Sequence, residues 1–281
     1  QSYRGNGLKI AEIMAKSPLD NGKSRIKAGM IIEKIDGVNL TPAIDFNSLL
    51  NRKADKLVLL SVFDPAGKQH FEESLKAISR GEEAELLYQR WVARQAKEVE
   101  KLSGGKIGYV HVRGMNDRTV VDDVLGKHIA KEALIVDTRF NGGGWLHDDL
   151  ATFLSGKKYM TMMPREQTMG KEPMRKWSKP SAVLMSEGNY SDAHLFPVTY
   201  KAYQIGKTIG MPVPGTGTAV WWETQIDPTL VFGIPQVGMV DLQGNYMENN
   251  QLEPDVKVAN EPALLLKGKD QQLERAVKEL V

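Results

Sequence analysis

The sequence predicts an α/β fold: a β-rich module in front of a core built on a mainly parallel sheet. Three observations predict it. Up to about residue 80, short apolar runs of period two are separated by turn-forming residues. From Glu82 the apolar spacing becomes that of a long amphipathic helix. Beyond Gly104-Gly105, apolar strands alternate with helical segments, the order expected of parallel strands joined by crossover helices.

Each element has its own signal. "LKIAEI" alternates like a half-buried strand, and "SPLDNGKSRIKAG" is rich in turn formers. "MIIEKIDG" is an apolar strand closing on an Asp-Gly turn, and "IDFNSLL" has helical spacing. "KLVLLSVFDPAGKQHFEES" reads as a hairpin around Pro65-Ala66-Gly67. In the following helix Leu87, Trp91, Val99 and Leu102 fall near one face, and Gly104-Gly105 ends it. The core then runs through "KIGYVHV", a helical "VVDDVLGKHI", "ALIVDTR", a glycine run with a helix, and "SAVLMSE" with its helix. "IPQVGMVDLQGNYM" reads as a hairpin through Gln243-Gly244-Asn245. Leu273, Ala276, Val277 and Leu280 share a face of a closing amphipathic helix. No internal repeat or low-complexity tract interrupts the pattern.

Composition excludes several functions. The chain has 281 residues, enough for two domains, with 41% hydrophobic and 26% charged residues, ordinary for a globular protein. A formal charge of +2 gives no reason to expect nucleic acid or an acidic membrane surface as partner. No apolar run approaches the roughly 18 residues of a spanning helix. The absence of cysteine excludes thiol catalysis, disulfides and cysteine zinc sites. No metal or cofactor is expected.

Familiar motifs fail at single positions. "NGKSR" (21–25) lacks a phosphate-loop glycine because Ser17 stands there. "GGGW" does not complete a dinucleotide fingerprint because His147 replaces the last glycine. Asn189 occupies the glycine position of a nucleophile elbow two residues before Ser191. The histidines (His70, His111, His128, His147, His194) show no metal-helix spacing, and each is best read as a surface or packed imidazole.

Three stretches carry chemistry. "DTRFNGGGW" (137–145) ends a buried strand in three glycines, a costly choice unless close approach or positive φ is required; the competing reading is a flexible loop. Its backbone N–H groups suit a developing oxyanion. "SEGNYSDAHLFP" (186–197) places Ser191 where a strand turns into a helix, as a nucleophile or as a helix cap. On neighbouring parallel strands both corners would open on one carboxyl edge, which favours the catalytic reading. "YMENNQLEPDV" (246–256) offers Glu248, otherwise a solvated turn carboxylate.

"SGGKIGYVHVRGM", "DTRFNGGGW", "SEGNYSDAHLF" and "ENNQLEPDV" occur in the order and rough spacing of the catalytic core of tricorn-type serine peptidases, relatives of the C-terminal processing peptidases. "LLYQRWVARQAKEVEKLSGG" resembles that family's helix between PDZ domain and core, and "DQQLERAVKEL" its final helix. The resemblance implies a PDZ-like domain over 1–80, entered at an early hairpin in "SYRGNGLKIAEI" and truncated at its N-terminus, a connecting helix over 81–103 and a crotonase-like α/β peptidase core over 104–281. It implies Ser191 as nucleophile, the backbone N–H groups of Gly143 and Asp192 as oxyanion donors, and Glu248 as an orienting carboxylate. The processing branch uses a lysine about two dozen residues after its serine; "MPVPGTGTAVWW" has none there, so the tricorn branch fits better. That branch takes its histidine from a small upstream helical domain, which nothing here matches.

The expectation is therefore peptide hydrolysis through an acyl-enzyme at Ser191 by a fragment of a longer protein, inactive without the upstream histidine. The partners would be peptides or unfolded chain ends, with room for a homo-oligomer. The expected compartment is bacterial and exported, with the cytoplasm as alternative. The rival functions are a non-catalytic ligand- or peptide-binding protein on the same core, and an acyl-transfer or thioester hydrolase.

Overall fold

The computed structural model describes residue 3 and residues 5–281. The expected entry at an early hairpin, read from "SYRGNGLKIAEI", falls partly on residues 2 and 4, outside the described residues. The chain divides into two compact units, 1–94 and 95–281.

The first unit is a five-stranded antiparallel sheet. Its strands are β1 (Leu8–Lys9), β2 (Ile31–Ile35), β3 (Val38–Asn39), β4 (Leu57–Asp64) and β5 (Gln69–Lys76), in the order β1-β2-β4-β5 with β3 on β2. Asp36 and Gly37 both take positive φ, as a tight two-residue turn between β2 and β3 requires. The short helix α1 (Phe46–Leu49) is capped by the Asp45 side chain. Ile26, Ile35, Leu40, Val58, Leu60 and Val62 form the core. "LKIAEI" pairs as a strand only at Leu8–Lys9. Helix α2 (Arg80–Leu102) crosses the division, and of its expected apolar face only Val99 is buried; Leu87 and Leu102 are exposed.

The second unit carries a parallel sheet of β6 (Ile107–His111), β7 (Ala133–Asp137), β10 (Ser181–Met185), β11 (Lys207–Gly210) and β14 (Val256–Lys257). Their spatial order follows their sequence order. Right-handed crossovers then put α3 (Thr119–Lys127), α4 (His147–Leu154) and α5 (Asp192–Ala202) on one face. Val110, Leu134, Val136 and Val183 share a core with Val124, Leu150 and Phe196 from those helices. Helix α7 (Gln271–Leu280), after the short α6 (Pro262–Leu265), packs on β7, β10 and β11 through its buried Leu273, Ala276 and Val277. Beyond the sheet lie two ribbons, β8 (Met160–Met162) with β9 (Gly170–Glu172), and β12 (Ala219–Thr224) with β13 (Val231–Val237).

The second ribbon corrects the expected hairpin at Gln243-Gly244-Asn245. The expected turn is present, with an antiparallel bridge between Val240 and Tyr246 flanked by Asp241 N–H to Asn245 O and Met247 N–H to Met239 O, but residues 234–237 pair with β12 and not across it. The Asp241 carboxylate accepts from Gln243 N and Asn245 N and so fixes the turn itself.

Candidate active site

β7 and β10 are neighbours with Leu184 opposite Asp137, so "DTRFNGGGW" and "SEGNYSDAHLFP" leave the sheet side by side at its carboxyl edge. That juxtaposition is what the catalytic reading of both corners required.

The serine corner is strained. Ser191 has φ 54° and ψ −123°, a region that ordinarily belongs to glycine and costs about 1–3 kcal/mol. A plain helix cap would sit in extended backbone and accept a helix N–H, whereas Ser191 makes no side-chain cap bond. Hydrogen bonds impose the conformation instead. Ser191 N–H donates to Thr216 Oγ1 at 3.1 Å, and Tyr190 N–H donates to the Asn141 carbonyl at 2.9 Å. Asn189 Oδ1 accepts from Ser186 N–H, while its Nδ2 donates to Thr138 Oγ1 and to the Ala193 carbonyl. A buried asparagine thus braces the turn where elbow sequences have glycine.

The glycine corner closes on the serine. A Cβ on Gly143, whose φ is +97°, would lie 2.7 Å from Ser191 Cβ and 3.2 Å from Asp192 N, so only glycine fits. Asn141 Nδ2 donates to the Val112 carbonyl at 2.6 Å, and its Oδ1 accepts from Gly143 N–H at 2.8 Å. The two expected N–H donors therefore differ. Asp192 N–H is used by no hydrogen bond among the described residues, whereas Gly143 N–H is committed to Asn141. Gly143 N–H becomes free to donate elsewhere only once Asn141 Oδ1 releases it.

A buried charge network anchors this corner. Arg139 Nη2 and Nε grip Asp137, and Nη1 donates to Asp270 at 2.9 Å and to Gln272. Tyr109 OH donates to Asp137 Oδ2 at 2.8 Å. Burial alone would lower the Arg139 pKa, but Asp137 and Asp270 outweigh it and raise it.

The Asp192 carboxylate is turned away from chemistry. Its Oδ2 accepts from the N–H groups of Leu146 and His147 at the start of α4, and its Oδ1 pairs with His147 Nδ1. That hydrogen bond to Asp192 is the main reason the His147 pKa is raised.

Glu248 lies on the other flank. It is half-buried, and its Oε2 accepts from Thr218 N–H at 3.0 Å. His194, 1% exposed, is a packed imidazole, as expected of the histidines, and makes no hydrogen bond to Ser191 Oγ. Its Nδ1 accepts from Thr216 N–H, and burial lowers its pKa while Glu248 opposes that shift.

Ser191, Asp192, Trp145, Tyr190, Val220 and Trp222 border a cavity of about 310 Å³. Its wall is mostly apolar and aromatic, and its one carboxylate, that of Asp192, is already committed. No hydrogen bond of the described residues joins a histidine or lysine to Ser191 Oγ. No cluster of three or more metal-ligating side chains occurs among the described residues.

Sequence reasoning missed Thr216, Asn141 and His147. Asn141 lay inside a motif already singled out, and His147 stood four residues from Gly143. Thr216 gave no signal, because its role depends on a loop folding back from 25 residues downstream of Ser191.

Comparison with known proteins adds a family. Residues 106–258 match the family described as "Peptidase family S41". The tricorn protease of Thermoplasma volcanium is 26% identical over 272 residues, covering 93% of this chain and 25% of that protein. Tricorn protease homolog 1 of Streptomyces coelicolor is 27% identical over 266 residues, covering 94% and 25%. The chain thus spans about a quarter of the length of these relatives. A crystal structure of the tricorn protease superposes with a TM-score of 0.85 at 24% identity, covering 98% of this chain and 28% of that one.

Proposed function

The chain belongs to peptidase family S41, and on that premise we propose that it is the catalytic portion of a serine peptidase that attacks peptide bonds with Ser191. The observation that carries the reading is the strained, uncapped Ser191 pressed against Gly143 at the carboxyl edge of the sheet. A packing serine has no reason to hold such a conformation.

In this reading Ser191 Oγ adds to the carbonyl carbon and forms an acyl-enzyme with loss of the amine; water then releases the acid. Asp192 N–H receives the developing oxyanion, joined by Gly143 N–H after Asn141 lets go. Glu248 orients the base from beside Thr218. The base is a histidine from outside the described residues, carried by an upstream helical domain. The substrate is an extended peptide with an uncharged apolar side chain against Trp222 and Val220, since a charged one would be desolvated there without a partner. The antiparallel first unit serves as a PDZ-like module that captures chain ends by strand addition.

A peptide aldehyde tests this, because its hemiacetal with Ser191 needs the nucleophile and the oxyanion donors but no permanent base. It should bind the chain and lose about tenfold or more in affinity in Ser191→Ala. The chain alone should hydrolyse peptides negligibly and gain turnover when joined to the histidine-bearing domain; Glu248→Gln should then lower that turnover with the fold intact. Aldehyde binding indifferent to Ser191→Ala would return the site to a ligand-binding role.

A further inference from the structure

We propose that His194 is a positioning residue: its neutral imidazole, acting through Thr216, holds the backbone of Ser191 in its strained conformation. The proposal rests on the reading of Ser191 as nucleophile.

Thr216 is bonded on both sides. Its N–H donates to His194 Nδ1 at 3.3 Å, and its Oγ1 accepts the Ser191 N–H at 3.1 Å. An imidazole nitrogen accepts only when it carries no proton, so the proton of His194 must sit on Nε2 and the ring must be neutral. The next residue lies on the ring: a Cβ at Gly217 would be 3.7 Å from His194 Nδ1 and 2.7 Å from Met247 Cβ. The residue after that, Thr218, gives its N–H to Glu248. Residues 216–218 thus form one bracket with the nucleophile at one end and the orienting carboxylate at the other, seated on a buried histidine. A histidine kept only to fill the core would not need its acceptor spent on the one residue that holds Ser191 N–H.

The direction of control follows. Burial and the Glu248 carboxylate are the influences on the ring; burial is the larger and keeps the pKa below the ordinary 6.5. Protonation therefore comes on the acid side of 6.5. It turns Nδ1 into a donor facing a donor, which expels Thr216 N–H and moves the Thr216 hydroxyl. Ser191 N–H then loses its acceptor, and the strained turn loses what holds it.

The experiment is an NMR titration of the ¹⁵N-labelled chain from about pH 8 to about pH 4, following the His194 imidazole and the Thr216 and Ser191 amides. Both amides should shift with the His194 midpoint, and peptide-aldehyde affinity should fall about tenfold or more over the same interval. His194→Asn restores an acceptor, Oδ1, where Nδ1 stood, but cannot titrate. It should keep aldehyde affinity within about threefold of the wild type near pH 8 and lose the acid limb. His194→Leu has no acceptor and should weaken aldehyde binding at every pH. If that variant does not fold, the wild-type and Asn titrations still decide. A Ser191 amide that ignores the His194 titration, or an Asn variant with the same acid loss as wild type, overturns the proposal. Aldehyde binding that ignores Ser191→Ala while the three resonances still titrate together overturns the nucleophile reading and leaves the bracket standing.

Discussion

The cavity at Ser191 is walled by two unlike pieces of chain. On one side stands the glycine corner, residues 137–145, where the exposed Phe140 and Trp145 rest on a base of Asp137, Thr138, Arg139 and Asn141, each at most 3% exposed and bonded to buried partners. On the other stands the β12–β13 ribbon, where Trp221, Trp222 and Phe232 are each at least 60% exposed. The corner spends buried charge on fixing backbone atoms. The ribbon leaves its bulk in solvent and offers the cavity Ala219, Val220 and Trp222 of β12. An oxyanion site needs donors fixed before substrate arrives, while a surface that grips variable side chains needs only shape and apolarity. The difference in construction matches the division of labour in the proposed function, with Asp192 N–H as the donor that stands free and Gly143 N–H held in reserve by Asn141, and it can be broken by substitution.

The largest effect should come from Arg139→Met. It leaves Asp137 and Asp270 buried without their shared cation, and breaking a buried pair from one side costs about 3–5 kcal/mol. Urea unfolding measures it. A loss under about 1 kcal/mol would mean that the network does not hold the corner and that the contrast with the ribbon is only one of exposure.

Gly143→Ala should come next. The new Cβ meets Ser191 Cβ at 2.7 Å on a backbone with φ +97°, so about 1–3 kcal/mol of stability and the aldehyde site should go together. Gly142→Ala is the control, because a Cβ there meets nothing within 4 Å. Equal behaviour of the two variants would remove the close-approach argument for the glycine run.

The same contrast explains what the sequence made legible. The parallel core could be read because strands buried on both faces leave apolar runs such as "ALIVD" and "SAVLM", whose alternation with helices dictates the sheet. Ser191 and Gly143 could be placed at one edge because neighbouring strands carry them. The ribbon could not: "AVWWET" pairs across a loop with "VFGIPQV", and its exposed aromatics imitate a buried strand. Nor could the Gly143 bond to Asn141 be foreseen, since a side chain competing for a backbone N–H leaves no periodic trace. The elbow at Ser191 hid for a related reason, with Asn189 bracing a turn that the expected motif assigns to glycine.

The smallest effect belongs to the ribbon, at two adjacent tryptophans. Trp222 lines the cavity and lies over Gly233 on β13, where a Cβ would come within 3.0 Å of its ring. Trp221 points to the opposite face by strand alternation and is 60% exposed. Replacing either by serine removes little buried surface, so both variants should stay within about 0.5 kcal/mol of the wild type in urea unfolding. Aldehyde binding should separate them. Trp222→Ser should weaken a ligand with an aromatic side chain by about tenfold and spare one with an alanine side chain, because stacking area is lost and backbone positioning is kept. Trp221→Ser should change neither ligand. A stability loss above about 1 kcal/mol in Trp221→Ser would show that the ribbon's outer face is packed in solution, which would put it in the same structural class as the corner.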